Sequence, residues 1–321
     1  MRSLIPARRR GQRSPPLECT DGTPNRYTEV FTQPRRRYVS TLQYGISTHL
    51  YHDERLNRDH LVEIAAHGFE TVEIFANRPH LDPGDAAAAV EVAEALRDTG
   101  LRPYSIHAPI ASSLQGGVWG APFSIASGVE DERLRAVEEV TSAIRFAQRV
   151  GAAWVVVHVG VPDSQRPAAS DNRAEAARRS LEALAALASP LGVGLALELV
   201  PNRLSTADAL VRCIEDDLDA PAGVGICLDT GHAHLSGGLV DAIETASGHV
   251  VTTHVHDNGG RTDDHLLPFD GRIEWEPAMM ALQKIGYEGP LVFELAGTST
   301  PRHVLERAGR ARDRLERLLQ P

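Results

Sequence analysis

One stretch of the sequence, residues 250–275, gathers the side chains that bind divalent metals in proteins. It opens with the β-branched run at 250–253, which predicts a buried strand. Imidazoles and carboxylates follow closely: His254, His256, Asp257, Asp263, Asp264 and His265. Because strand side chains alternate between faces, His254 and His256 should point the same way. The pattern predicts a divalent metal site, and the alternative is a solvated acidic loop with incidental histidines.

The elements that must position these residues repeat along the chain from Leu42. Short apolar or alternating runs predict eight strands, at 43–48, 70–75, 102–107, 153–158, 193–200, 223–228, 250–256 and 290–295. Segments rich in Ala, Leu, Glu and Arg predict helices at 58–67, 85–99, 130–150, 171–191, 205–218, 240–247, 277–285 and 301–319. This alternation predicts a closed parallel (β/α)8 TIM barrel of the α/β class. The alternative is a doubly wound open sheet, but no glycine-rich phosphate loop follows the first strand.

In such a barrel the active site is built from the C-terminal ends of the strands and the loops after them. Predicted strands three to eight each end in a histidine or a carboxylate after an almost wholly apolar run. The residues are His107, His158, Glu198, Asp229 with His232, His254 with His256, and Glu294, and His49 follows the first strand. A single histidine at such a position is more often a satisfied core residue. Burying so many ionisable groups at one end is costly unless they are paired or bind metal.

The types of these side chains indicate the ion and the reaction. Imidazole together with carboxylate suits Zn, Mn or Co, whereas Mg favours oxygen ligands alone. No GxSxG motif is present, so a serine nucleophile is not indicated. Glu198 and Glu294, on strands five and eight, should face each other across the barrel mouth. One of them could then remove a proton that the other returns.

The motifs IHAP, VVVHVG, LALE, LDTGHAH, THVHDN, RTDDH and VFEL, taken together, resemble those of the xylose isomerase-like barrels. This superfamily includes sugar isomerases and epimerases as well as the endonuclease IV family. The resemblance extends from about Tyr44 to the end of the chain. It implies a single metal ion held by Glu198, Asp229, His254 and Glu294, with the two glutamates as the catalytic acid/base pair. It also implies substrate contacts from His232 and His256, and we add His49, His107 and Trp119 as substrate-binding candidates.

The endonuclease IV branch is similar but binds three zinc ions. Its further ligands match His107, His158, His232, Asp263 and His265, all of which are present. Three features nevertheless favour the sugar enzymes. The chain is acidic, the loop at 109–129 offers Trp119 as an aromatic wall, and HVHDN followed by DDH is similar to sugar isomerase/epimerase-like proteins.

These features predict a metal-dependent isomerase or epimerase of a sugar, sugar phosphate or polyol. It would move a proton next to a carbonyl with a divalent cofactor, Mn or Zn, with Co or Mg as alternatives. The alternative function is a zinc-dependent apurinic/apyrimidinic endonuclease, a phosphodiester hydrolase. A lyase or a non-catalytic metal-binding module is a third class.

Composition limits the partners and the compartment. The chain has 321 residues and a net charge of -10, with Lys284 as its one lysine, so it carries no electrostatic footprint for long nucleic acid. Three scattered cysteines predict a reducing, cytoplasmic location, and no apolar run is long enough to span a membrane. Residues 1–40 predict a disordered basic extension, and 41–321 a single catalytic barrel domain. The sequence leaves open whether the protein forms a homo-oligomer.

Overall fold

The computed structural model describes residues 42–116, 118–218, 221–296 and 299–320, and the predicted extension at 1–40 lies outside them. The described strands are β1 Tyr44–Ser47, β2 Thr71–Phe75, β3 Arg102–His107, β4 Leu114–Gln115, β5 Val118–Trp119, β6 Trp154–His158, β7 Gly194–Glu198, β8 Val224–Asp229, β9 Val250–Val255 and β10 Leu291–Phe293. Eight of them close a parallel barrel in the order β1-β10-β9-β8-β7-β6-β3-β2. The predicted (β/α)8 TIM barrel is therefore confirmed.

Helices follow the strands in the expected alternation. The described α-helices are α1 Arg58–Ala66, α2 Ala86–Thr99, α3 Glu130–Val150, α4 Ala174–Ala188, α5 Ala207–Arg212, α6 Thr230–Leu235, α7 Leu239–Thr245, α8 Trp275–Lys284 and α9 Pro301–Leu318. Each of the eight predicted helices overlaps one of them. The short helix α6 and the two-stranded hairpin of β4 and β5 are not predicted from the sequence. No described helix is both long enough and apolar enough to cross a membrane.

The alternation of side chains along each strand separates the core from the barrel interior. On β7, Leu195 and Leu197 belong to the large core cluster that also includes helix side chains. Ala196 points the other way and packs in a small cluster with Val156 and Cys227. Because Glu198 is two residues after Ala196, its side chain also points into the barrel. The same strand therefore supplies both the packing under the helices and a carboxylate at the barrel mouth.

Asp257, directly after β9, holds the next loop in place and does not join the metal-binding residues. Its side chain is fully buried and accepts hydrogen bonds from Phe269 N (3.0 Å), Ile273 N (3.0 Å) and Trp275 Nε1 (2.9 Å). Gly271 lies against the same carboxylate, since a Cβ there would come within 2.2 Å of Asp257 Oδ1. Both oxygens of Asp257 are thus occupied by donors of the loop that carries the chain to α8.

We expect Asp257→Asn to destabilise the fold by about 3 kcal/mol. The side-chain NH₂ of asparagine would replace one carboxylate oxygen, so buried N–H groups that now have an acceptor would face a donor. The midpoint temperature of thermal unfolding should fall by roughly 6–10 °C. Asp270→Asn is the matched control, since Asp270 pairs with Arg307 where both side chains are 37% exposed, and should cost less than about 1 kcal/mol. Equal losses in the two variants would contradict a loop-holding role for Asp257.

Candidate metal centre

The four residues assigned to one ion meet at the mouth of the barrel. Glu198 ends β7, Asp229 ends β8, His254 lies on β9, and Glu294 directly follows β10. One ligand atom from each lies within 4.8 Å of every other. Nδ1 of His254 is 3.0 Å from Glu198 Oε1, 3.3 Å from Glu294 Oε2 and 3.7 Å from Asp229 Oδ2. Ligands bound at 2.0–2.2 Å to one ion are spaced about 3.0–3.6 Å apart. Two of the three distances from Nδ1 fall in this range and the third is close to it, so the four residues could hold a single divalent ion.

Local structure fixes the carboxylate of Asp229. It caps helix α6, with Oδ1 accepting a hydrogen bond from His232 N at 2.6 Å. Its Oδ2 faces Nε2 of His256 at 3.0 Å. His256 is fully buried against the backbone of Gly231, where a Cβ would come within 2.0 Å of the imidazole. His256 therefore lies behind Asp229, where it can orient that carboxylate.

A second cluster adjoins the four-residue set through Glu198. His107, His158 and Glu198 bring three potential ligand atoms within 4.8 Å of one another. Oε2 of Glu198 is 3.1 Å from His107 Nε2 and 2.9 Å from His158 Nε2. His107 and Glu198 are almost fully buried, and His158 is only slightly more exposed. The structure thus brings together the first pair of additional ligands predicted from the endonuclease resemblance.

A third cluster adjoins the four-residue set through His232, whose Nδ1 is 3.4 Å from Asp229 Oδ2. Oδ2 of Asp263 is 3.1 Å from His232 Nε2 and 3.2 Å from His265 Nε2. His256, Asp263 and His265 form a further group of potential ligands within 4.8 Å. The ring of His256 stacks on that of His265 with their centroids 4.1 Å apart. All residues predicted as metal ligands therefore lie in three adjoining clusters.

The predicted substrate-binding residues lie at different depths around these clusters. The ring of His49 stacks on His265 with a centroid distance of 5.2 Å. Trp119, on the hairpin after β3, is 37% exposed and meets Phe75 edge-on at 6.4 Å. Phe75 in turn contacts His107 at 5.5 Å, which connects the hairpin to the barrel mouth. An exposed indole in this place can offer an apolar face to a bound ring.

Glu73 is a site residue that the sequence motifs do not include. It lies on β2, is fully buried, and its Oε2 is 3.1 Å from Nε2 of His254. The hydroxyl of Ser105 donates to the same oxygen at 2.7 Å. The signal was available in the sequence, because Glu73 interrupts the apolar strand TVEIF. A carboxylate within a buried strand needs a partner, and here that partner is the central histidine.

Burial and close contact with opposite charges both shift the pKa values of these groups. Burial alone would lower the pKa of His107, but its bond to Glu198 outweighs burial and raises the pKa to about 9. In the same way, Asp229 raises the pKa of His232 to about 10, and Asp263 raises that of His265 to about 9, both against the effect of burial. Burial would raise the pKa of Glu198, but His158 and His254 hold it well below its usual value. In each case the contact with an oppositely charged group outweighs the effect of burial on the pKa.

These shifts predict that the metal-free protein loses stability at alkaline pH. The three imidazoles bind protons more tightly when folded than in the unfolded chain, where their pKa is about 6.5. Their contribution is complete below about pH 6.5 and is lost as pH rises through about 9 to 10. Urea unfolding in chelator should show a loss of a few kcal/mol between pH 7 and about pH 9.5. His265→Gln should flatten this slope, and stability that stayed constant over the range would contradict the assignment.

Comparisons with known proteins agree with this architecture. The family model described as xylose isomerase-like TIM barrel matches residues 61–320. The chain is 32% identical over 227 residues to the uncharacterized protein y4fM of Sinorhizobium fredii, covering 65% of this chain and 70% of that protein. It is 28% identical over 252 residues to the probable endonuclease 4 of Mycobacterium leprae, covering 74% and 89%. Inosose isomerase of Bacillus velezensis is 26% identical over 168 residues, covering 50% of this chain and 59% of that protein.

Solved structures show the same fold. A D-tagatose 3-epimerase-like protein superposes with a TM-score of 0.69 and 24% identity, covering 87% of this chain and 97% of that chain. D-psicose 3-epimerase from Clostridium cellulolyticum H10, solved with D-tagatose, gives a TM-score of 0.69 and 20% identity, covering 87% and 100%. At these identities the likeness establishes the barrel, and the chemistry must be argued from the side chains.

Proposed function

The chain belongs to the xylose isomerase-like TIM barrel family, and from this premise we propose that it is a divalent-metal-dependent isomerase or epimerase of a sugar, sugar phosphate or polyol. The observation that carries the proposal is the buried set of Glu198, Asp229, His254 and Glu294, in which two glutamates accompany the other two ligands. When bound there, a Mn- or Zn-type ion would polarise the carbonyl and the adjacent hydroxyl of the substrate. The similarity to inosose isomerase and to sugar epimerase structures supports this class of reaction.

The two glutamates have different surroundings, which suggests how they divide the proton transfer. Glu198 faces His107, His158 and His254 at 2.9–3.1 Å, so its negative charge is strongly stabilised. Glu294 makes no side-chain hydrogen bond to another described residue, and its nearest imidazole nitrogen is His254 Nδ1 at 3.3 Å. A carboxylate with a free oxygen is the better proton acceptor. We therefore assign Glu294 as the base that removes the carbon-bound proton and Glu198 as the partner on the opposite side.

The proposal is tested by hydrogen exchange. The protein, loaded with Mn and incubated in deuterated water with a panel of ketohexoses, ketopentoses and inososes, should incorporate deuterium next to the carbonyl of at least one of them. Nuclear magnetic resonance of the sugar reads out the exchanged position, and chelator should stop the exchange. A panel without exchange at any metal tested, from Mn to Zn and Co, would count against the proposal.

A second function is favoured by one specific observation, the two flanking clusters. The first contains His107 and His158, and the second contains His232, Asp263 and His265. Together they add to the central set the ligands that a three-zinc phosphodiester hydrolase would need. The similarity to probable endonuclease 4 supports the same alternative. Chelator-sensitive nicking of an oligonucleotide with one abasic site would establish this function, whereas an intact oligonucleotide together with deuterium exchange would exclude it.

A further inference from the structure

Both nitrogens of the central imidazole face carboxylates. Nδ1 of His254 points to Glu198 at 3.0 Å and to Glu294 at 3.3 Å, on the side where an ion would bind. Nε2 points the opposite way, to Oε2 of Glu73 at 3.1 Å. Neither His254 nor Glu73 is exposed to solvent. Among the described residues, His254 is the one candidate ligand that lies within ion-pair distance of Glu73.

The surroundings of Glu73 make its burial costly for the fold alone. Ser105 donates to Oε2, but Oε1 is buried without any hydrogen-bond partner among the described residues. An ionised carboxylate in such a place loses its hydration. The two hydrogen bonds to one of its oxygens offset only part of that free-energy cost. A leucine or methionine would fill this position of β2 without that cost. The carboxylate is explained if it acts on positive charge at the other end of the His254 ring.

We propose that Glu73 is the positioning residue of the metal centre, acting through His254. An ionised carboxylate can only accept a hydrogen bond, so Glu73 requires the proton of His254 to be on Nε2. The lone pair of Nδ1 then faces Glu198, Asp229 and Glu294, which is the tautomer that a divalent ion needs. The negative charge of Glu73 also makes the imidazole a stronger ligand. The inference rests on the metal dependence in the proposed function and deepens it by adding a residue behind the ligands.

The test is the affinity of the purified protein for Co²⁺, measured by competition with a chelating dye and by the visible absorption of the bound ion. Glu73→Gln keeps the size of the side chain but removes its charge. It should weaken Co²⁺ binding by about 10–100-fold, the range for outer partners of a ligating histidine. Ser105→Ala, which keeps Glu73 but removes a bond to Oε2, should weaken binding less. Glu139→Gln is the control, because Glu139 pairs with Arg78, away from His254, and should leave the affinity unchanged.

The outcomes separate this inference from the proposed function. If the unaltered protein binds no Co²⁺, Mn²⁺ or Zn²⁺, the metal dependence itself fails. If it binds and Glu73→Gln binds equally well with the same absorption spectrum, Glu73 is only a buried structural residue and the inference is overturned. If Glu73→Gln does not fold, Glu73→Asp decides, because its shorter side chain draws the carboxylate away from Nε2 of His254, and an unchanged affinity and spectrum in that variant would overturn the inference. Weaker binding with cooperative unfolding intact supports the positioning role.

Discussion

Glu294→Gln should abolish the exchange of the substrate's carbon-bound hydrogen with solvent while the protein stays folded. Glu294 is only slightly exposed and sits among the four central residues, so an amide of the same shape fits its place. The amide cannot accept the substrate proton, and it is a weaker metal ligand than the carboxylate. General base catalysis alone contributes about 10²–10⁴-fold, so we expect a loss of at least about 10²-fold. The measurement is the rate of deuterium incorporation at saturating Mn²⁺, so that a lower metal affinity does not account for the loss.

The control for this variant is Glu288→Gln. Glu288 is exposed between α8 and β10, at the opposite end of β10 from Glu294, and its substitution should leave the exchange rate unchanged. Glu198→Gln should also lose exchange, but with a larger loss of metal, since Glu198 faces three imidazoles. If Glu294→Gln exchanged hydrogen at the full rate, Glu294 would not be the base, and another group would have to accept the proton.

The sequence predicted the barrel because its signals are local. Apolar runs of strand length and helical segments rich in Ala, Leu, Glu and Arg each recur eight times, and each can be recognised without knowing its neighbours. The meeting of Glu198, Asp229, His254 and Glu294 followed from one further rule, that the C-terminal ends of barrel strands share one mouth. Their roles as ligands and catalysts remain predictions.

The parts that the sequence did not reveal depend on contacts between distant segments. Glu73 and His254 are 181 positions apart, and nothing in the strand TVEIF indicates which imidazole lies across the barrel. Asp257 stands among the metal-binding candidates in the sequence because it is adjacent to His256. Its carboxylate instead faces backbone N–H groups of its own loop, which only the path of that loop determines. Helix α6 was missed because a six-residue helix depends on its cap, Asp229, and on packing more than on propensity.

The two candidate functions share the same central ligands, so the number of ions bound separates them more directly than any single ligand. A sugar enzyme of the proposed kind needs the ion of the four-residue set. A phosphodiester hydrolase of the alternative kind would also fill the cluster of His107 and His158 and the cluster around Asp263. Because the clusters adjoin through Glu198 and Asp229, residues at their outer edges are the informative ones to replace. His158 is such a residue, since its only ion-pair partner among the described residues is Glu198.

After dialysis against a low concentration of metal, we expect one ion per chain in the unaltered protein, one in His158→Ala and none in His254→Ala. Four-ligand zinc sites are worth about 10–16 kcal/mol, so losing one ligand removes roughly 3 kcal/mol, or at least about 100-fold in affinity. His254 places Nδ1 at the centre of the set, whereas His158 pairs with Oε2 of Glu198 at its edge. Metal content by inductively coupled plasma mass spectrometry after dialysis gives the counts, and circular dichroism confirms that each variant is folded. Three ions in the unaltered protein and two in His158→Ala would contradict the single-ion centre, because the flanking cluster would then hold an ion of its own, and would favour phosphodiester hydrolysis over sugar isomerisation.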